Sequence, residues 1–380
     1  MKQNKKILPD IFIRTYGCAS NRFDSQQLTF DLINNNFFVY NQSFGSDKQF
    51  FRDKYESFIA SKVKIFIIHT CPITSYLEKL TNEFIKYLQK INKKAKIILT
   101  GCSTRYKYSL LKRKNILNSK NLVIIDLDKI PYYLSKRRGQ TSKCEVEFNH
   151  FEPGTVLIKK GCNKYCTYCI CPRICKKFRC LTFQEILSQI RQLKSWQFKS
   201  IEFAGPCIGD WHDPFDNSLT FFDLVKHILE QTDFRITNLE LHPSDVPNEL
   251  IYFLKSEKID REISIPIQSG SDRILQIMNR RYNVAYLKKI FKKLFTKIPD
   301  LRLTTDIIVG FPGESEKDFK KTINFLKQFP FFQIDVYSYS PRKGAVVSSR
   351  RRIKVEDIRR RISRLKEDRI LQKIINITSL

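Results

Sequence analysis

Gly161-Cys162-Asn163-Lys164-Tyr165-Cys166-Thr167-Tyr168-Cys169 places three cysteines at a C-x3-C-x2-C spacing, directly after the apolar run Thr155-Val156-Leu157-Ile158. Three thiolates on so short a loop can hold three irons of a cubane cluster. A ferredoxin-type site uses four cysteines. A triplet therefore leaves one iron without a protein ligand, open to a substrate or cofactor. The apolar run reads as a strand and the triplet as the loop at its C-terminal end.

Downstream of the triplet the chain alternates strand, loop and helix. A helix begins near Thr182, where Thr182-x-x-Glu185 resembles a capping box. Strand Ser200–Ala204 ends in Gly205-Pro206, and a helix follows from about Phe221. Asn238–Leu241, Ile263–Ile267, Leu301–Val309 and Ile334–Tyr339 read as further strands, with helices from about Asp272 and over 316–328. Six such repeats predict a partial parallel barrel, whose functional loops sit at the C-terminal ends of its strands. The tail from about Lys354 reads as one helix. Residues 342–373 carry thirteen Lys/Arg against four Asp/Glu, which suits contact with a phosphate backbone.

Upstream, strands are expected at 11–16, 62–69, 95–99 and 122–125, with helices opening near Asp24 and covering about 76–90. Three of these strands run into a cysteine within two residues: Cys18, Cys71 and Cys102. In an open parallel α/β sheet those ends lie along one edge, where ligands bind. A free cysteine is often only a small buried hydrophobe. Three at equivalent strand ends point instead to a second three-cysteine site. A polar, basic linker is expected over 131–150. The fold class is α/β, with domains at 1–145, 146–350 and a basic C-terminal helix at 351–380.

The net charge is +30, and hydrophobic residues make up 42% of the chain. Such a chain has ample core and is not disordered. Its apolar runs are too short to span a bilayer, and the basic N-terminus lacks an h-region. The charge favours a polyanionic partner, RNA before protein. Eleven cysteines without a secretory context favour cluster ligation over disulfides. A cytoplasmic location is expected.

The triplet on the first loop of a β/α barrel resembles the radical S-adenosylmethionine (SAM) enzymes. The whole chain is similar to their methylthiotransferase family. The matching stretches are Thr15–Asn21, Thr70–Thr74, Thr100–Cys102, Gly161–Cys169, Ile265–Asp272, Thr305–Glu314 and Tyr339–Gly344. The resemblance implies an N-terminal open parallel-sheet domain and a radical SAM partial (β/α)6 TIM-like barrel. It implies two 4Fe-4S clusters, one on Cys162, Cys166 and Cys169, the auxiliary one on Cys18, Cys71 and Cys102. SAM would serve as both methyl donor and radical source, contacted near Gly205, Gln268, Ser269, Asp306 and Gly310. The implied reaction adds a methylthio group to C2 of an adenosine next to the anticodon. Both triplets would then serve one substrate, the tRNA anticodon stem-loop. A monomer is expected, reduced by a donor such as flavodoxin or ferredoxin.

Ile208-Gly209-Asp210 and Val336–Arg342 look closer to the threonylcarbamoyladenosine branch than to the isopentenyladenosine branch. A third branch modifies an aspartate of a ribosomal protein. The family's Arg-Gly after the triplet is replaced here by Cys175-Lys176, and Cys171, Cys175 and Cys180 read as small-residue drift. The family's usual C-terminal RNA-binding barrel is expected to be missing. RNA affinity would then rest on Arg350, Arg351, Arg352, Arg359, Arg360 and Arg361. The competing readings are a radical SAM enzyme without sulfur insertion, and an iron–sulfur RNA-binding protein without catalysis.

Overall fold

The computed structural model describes residues 8–44, 54–106, 109, 111, 120–135, 153–175 and 177–379. The chain divides into two compact units, residues 1–155 and 156–380. Most of the expected linker, Cys144 and the expected 145/146 boundary lie outside the described residues; residues 131–135 finish a helix, Ile130–Ser135.

The first unit is an open sheet of five strands. These are β1 (Ile11–Tyr16), β2 (Val39–Phe44), β3 (Ile65–Thr70), β4 (Lys96–Gly101) and β5 (Leu122–Ile124), in the order β2-β1-β3-β4-β5. All four pairings are parallel. Parallel sheets are covered on both faces, so their strands read as continuous apolar runs. Alternate residues feed two cores. Phe12, Phe66, Ile97 and Leu99 pack with Leu80, Phe84 and Leu88 of helix Ser75–Ile91. Ile11, Ile13, Ile67 and Ile98 pack with Leu28 and Leu32 of helix Ala19–Asn34 and with Ile130 and Leu134. Strand β2 and helix Lys54–Lys62 carry no clear apolar period, and sequence reading passes over both. The first helix starts at Ala19 with Cys18 as its N-cap residue, one turn before the expected Asp24.

The second unit is wound from parallel strands. Strand β6 (Gly154–Leu157) opens it, and the short pair β7 (Lys159–Lys160) and β8 (Arg179–Cys180) flanks the triplet loop. The next strands are β9 (Ser200–Ala204), β10 (Arg235–Ile236), β11 (Leu239–Glu240), β12 (Glu262–Ser264), β13 (Arg302–Val309) and β14 (Gln333–Ser338). The last is β15 (Ile375–Ser379), and the two sheets run β10-β9-β6 and β11-β12-β13-β14-β15. The segment from β10 to β11 passes from one sheet to the other. Thr237 N–H bonds Ile201 O, and Leu241 N–H bonds Ser264 O. Helices return along the outside: Phe183–Ser195, Phe221–Gln231, Asp272–Ile277, Val284–Lys297 and Glu316–Leu326. The first begins at the expected capping box, in which Thr182 accepts from Glu185 N–H and the Glu185 carboxylate accepts from Thr182 N–H.

The tail departs from the single helix expected of it. Helix Val355–Glu367 ends at Asp368, and the chain then adds β15 in parallel beside β14. The apolar residues Ile375 and Ile377 alternate with polar ones, so this segment has the period of a strand and not of a helix.

Candidate functional site

The triplet loop is anchored at several points within the second unit. Thr167 N–H bonds Met278 O, Thr167 Oγ1 donates to Ile277 O at 2.9 Å, and Asn279 Nδ2 donates to the carbonyls of Lys164 and Tyr165. Tyr168 turns inward to meet Phe311 edge-on at 6.3 Å. Each of the three sulfurs accepts one N–H. Cys162 Sγ takes Lys164 N–H at 3.5 Å, Cys166 Sγ takes Arg280 Nη1 at 3.5 Å, and Cys169 Sγ takes Cys171 N–H at 3.4 Å. Donors to sulfur stabilise the thiolate, which is the form that ligates metal. A hydrogen bond from the Cys207 thiol, acting against burial, pulls Cys162 down to about 6, with Lys164 N–H and the Lys159 charge assisting. A hydrogen bond from Cys171 likewise lowers Cys169.

An ion-pair clamp holds the base of this loop to the loop after β9. Lys159 lies wholly inside, with its ammonium on Asp210 and on Cys207 O at 3.1 Å. Lys164 bridges Asp210 at 2.8 Å and Asp245 at 2.7 Å. Burial works against the Lys164 charge, but the two carboxylates outweigh it and hold its pKa at about 12. Arg280 is the third fixed cation. It donates to Cys166 Sγ, to Pro266 O at 2.8 Å and to the Tyr282 hydroxyl at 2.6 Å. Beside it His242 is held neutral, its pKa lowered to about 2 by burial and by the charges of Arg280, Lys164 and Lys159. This cationic, donor-rich wall suits a thiolate-bound cluster, whose net charge is negative.

Sequence reasoning missed this wall. Lys159 reads as a surface residue in a Lys-Lys pair, and Arg280 sits in a basic turn. The available signal was positional. Lys159 stands between a core strand and the triplet, and Asp210 follows the end of the neighbouring strand.

The residues expected to meet SAM divide. Gly205, at φ +138°, ends β9 where an added Cβ would lie 2.9 Å from Lys159 Cβ. Gln268, at φ +66°, exchanges backbone bonds with Asp306 O and Ile308 N–H. Asp306 stands level with Asp335 across β13 and β14, and burial, with Glu240 and Asp335 nearby, drives its pKa well above the usual carboxylate range. Two of them are engaged in packing. Ser269 turns outward, its hydroxyl 3.3 Å from Thr322 Oγ1 on helix Glu316–Leu326. Gly310, at φ +81°, lies under the C-terminal helix, where an added Cβ would come within 2.4 Å of Ile358. Helix packing accounts for that glycine.

Arg361, expected among the RNA-binding arginines, is a third residue engaged in packing. It is only 5% exposed, with Nη1 2.7 Å from Glu314 Oε2, Nη2 3.2 Å from Glu314 O and Nε 3.4 Å from Glu316. It faces the sheet side of the helix and is taken up in holding the helix there. Arg350, Arg351, Arg352, Arg359 and Arg360 are exposed.

The second cysteine set lies in the first unit. Strands β1, β3 and β4 are neighbours. Their registers end at Thr15↔His69 and Thr70↔Gly101. Carried past their last pairs, these registers would set Gly17 opposite Cys71 and Cys71 opposite Cys102, the first residue of the short helix Cys102–Arg105, with Cys18 next to Gly17. Asn21 ties the three ends together. It donates to Tyr16 O at 2.8 Å and to Thr70 O at 3.3 Å, and its Oδ1 lies 3.7 Å from Cys102 Sγ. Gly17 has φ +104°, and a Cβ there would come within 2.6 Å of Cys71 Sγ. The turn therefore admits only glycine. Among the described residues no three His, Cys, Asp or Glu side chains converge as a single metal ion requires. A cubane differs in distributing its ligands over separate irons.

Residues 156–326 match the family model of the radical SAM superfamily. The chain is 31% identical over 355 residues to the tRNA-2-methylthio-N(6)-dimethylallyladenosine synthase of Thermodesulfovibrio yellowstonii, covering 89% of this chain and 78% of that one. It is 26% identical to the threonylcarbamoyladenosine tRNA methylthiotransferase MtaB of Thermotoga maritima, covering 88% and 76%. Among solved structures, the radical S-adenosylmethionine methyltransferase TsrM of Kitasatospora setae superposes with a TM-score of 0.57 at 11% identity, covering 88% of this chain and 74% of that one. That likeness is one of fold.

Proposed function

This chain belongs to the methylthiotransferase family of radical SAM enzymes, and from that premise we propose that it methylthiolates C2 of an N6-modified adenosine in tRNA. The observation that carries the reading is the pair of cysteine triplets. One lies on a single loop with an N–H on every sulfur, the other at the ends of three adjacent parallel strands.

The radical SAM family implies a 4Fe-4S cluster and SAM. We assign Cys162, Cys166 and Cys169 to that cluster, and Cys18, Cys71 and Cys102 to an auxiliary one. The chemistry a cluster held there would supply is the one-electron reduction of SAM, which would give the radical for hydrogen abstraction from the substrate carbon. The chain's own residues do the positioning. Lys159, Asp210, Lys164 and Asp245 fix the base of the triplet loop. Arg280 holds charge beside Cys166, and Tyr168 packs edge-on against Phe311. Preorganised charge of this kind costs no reorganisation during reaction. Asn21 and Gly17 do the same for the second set, by holding three strand ends in register.

Within this reaction the greater similarity to dimethylallyladenosine synthases favours that substrate. The loop that resembles the threonylcarbamoyl branch has structural duties here. Ile208 is buried, Gly209 packs on Asp245 O and Asp210 binds both lysines. The threonylcarbamoyl reading keeps the support of the sequence around Val336–Arg342. We place the protein in the cytoplasm as a monomer served by a small electron donor such as flavodoxin or ferredoxin; among the described residues no helix is long and apolar enough to cross a membrane. Mass spectrometry of tRNA nucleosides with and without the gene tests the assignment. Loss of 2-methylthio-N6-dimethylallyladenosine is expected. Loss of the threonylcarbamoyl species instead would transfer the assignment to the second branch, and an unchanged nucleoside profile would remove it.

A further inference from the structure

Phe215 is 90% exposed, the most exposed large hydrophobic side chain among the described residues. Scattered surface hydrophobes are normal and need no explanation. This one differs in being rigidly presented. It sits at the tip of the loop from Asp210 to Thr220, and nearly every residue below it is tied down. Trp211 is buried and donates from Nε1 to Leu181 O at 2.9 Å. His212 bridges Thr220 in antiparallel fashion, and Asp213 N–H bonds Leu219 O. Asp213 Oδ2 accepts Phe183 N–H at 2.6 Å. Its Oδ1 accepts Phe215 N–H at 2.8 Å and Asp216 N–H at 3.2 Å. The phenyl ring is therefore held out into solvent on a fixed stalk, at the cost of its own hydration.

The stalk rises from the site. The loop follows β9, neighbour of β6 in the sheet. Its first residue, Asp210, is the one that grips Lys159 and Lys164 at the foot of the triplet loop. Tyr165, next to Lys164, is itself 63% exposed at φ +52°. Two outward aromatic rings thus stand on two clamped loops at the C-terminal ends of adjacent strands. The chain that carries them has a net charge of +30. A protein that acts on one base of an RNA loop needs that base and its neighbours unstacked. Unpaired RNA bases are recognised largely by stacking on aromatic side chains.

We propose that Phe215, with the exposed Tyr165 of the triplet loop as a second aromatic, is a stacking platform for an unpaired nucleobase of the RNA substrate. The proposal rests on the tRNA reading above. Its test is tRNA affinity of the full chain, by filter binding over a series of salt concentrations, with transcripts carrying the anticodon stem-loop. Stacking contributes about 1–3 kcal/mol per base, so Phe215→Ala is expected to weaken binding roughly 5- to 150-fold. Phe215→Trp restores it. Because the ring is uncharged, the slope of affinity against salt stays that of the wild type. Its thermal melt and its tRNA-independent cleavage of SAM are also expected to match wild type, since the ring covers nothing. Unchanged affinity of Phe215→Ala overturns the proposal, whether or not the variant alters self-association. So does a Trp variant as weak as the Ala variant. A wild-type chain without salt-dependent tRNA binding would overturn the tRNA reading itself, and the platform with it.

Discussion

Arg361→Ala should unfold the second unit at a markedly lower temperature, although Arg361 belongs to a run of arginines that invites an RNA-binding interpretation. Its guanidinium and the Glu314 carboxylate are both almost completely buried. Glu314 also accepts Gly310 N–H at 2.8 Å. Burial pushes the Glu314 pKa up to about 7, against the pull of Gly310 N–H and Arg361. Removing the arginine leaves that carboxylate without its counter-charge. Breaking a buried pair from one side costs about 3–5 kcal/mol. At about 2–4 °C per kcal/mol for a domain of this size, the melting temperature should fall by roughly 6–20 °C. The pH dependence has a definite sign. Glu314 binds its proton more tightly folded than unfolded, so its contribution to stability is full below its unfolded pKa and is lost as pH rises through about 7. Arg361 acts on the ionised carboxylate. Its loss should therefore cost more at about pH 8 than at about pH 5.5. Circular dichroism melts at both values measure this, with Arg359→Ala and Arg360→Ala as controls, expected within about 0.5 kcal/mol of wild type. The double variant Arg361→Met/Glu314→Gln should recover part of the loss, because neither buried charge remains. A melt of Arg361→Ala within about 2 °C of wild type, or a larger penalty at the acidic value, would refute the reasoning.

Two further outcomes are expected. Replacing Cys162, Cys166 and Cys169 by serine should leave anaerobically reconstituted protein with one cluster's iron and sulfide and no cleavage of SAM; replacing Cys18, Cys71 and Cys102 should also leave one cluster, but with SAM cleavage intact and methylthio transfer lost. Identical iron contents in wild type and both variants would count against two sites. Exchanging the exposed Arg350, Arg351, Arg352, Arg359 and Arg360 for glutamine should flatten the salt dependence of tRNA binding, by roughly 3.5–4.5 in log–log slope if all five meet phosphates. A slope equal to wild type would exclude this segment from the RNA contact.

Much of the fold is legible in the chain because parallel α/β structure leaves a local trace. Strands covered on both faces are unbroken apolar runs, as in Ile65–Ile68, and their helices carry a clean apolar period, as in Ser75–Ile91. Where the trace is weak, reading fails. Strand β2 contains Asn41 and Gln42, and β15 is short and half polar. Neither could be recognised before its pairing partner, β1 or β14, was known.

The division at the site has the same origin. The sequence alone singled out two sets of cysteines as candidate cluster ligands. Three lie within eight residues of one another, and three others each follow a strand, so spacing and strand ends suffice to select them. Only the tertiary structure decided what the remaining side chains do. Lys159 and Arg361 look like any of the chain's other cations, yet one is buried on Asp210 and the other on Glu314. Phe215 looks like core and stands in solvent. A cysteine triplet is a property of the chain, set by covalent spacing. Whether a charge is buried or a ring exposed depends on residues tens of positions away, and only folding brings those to it.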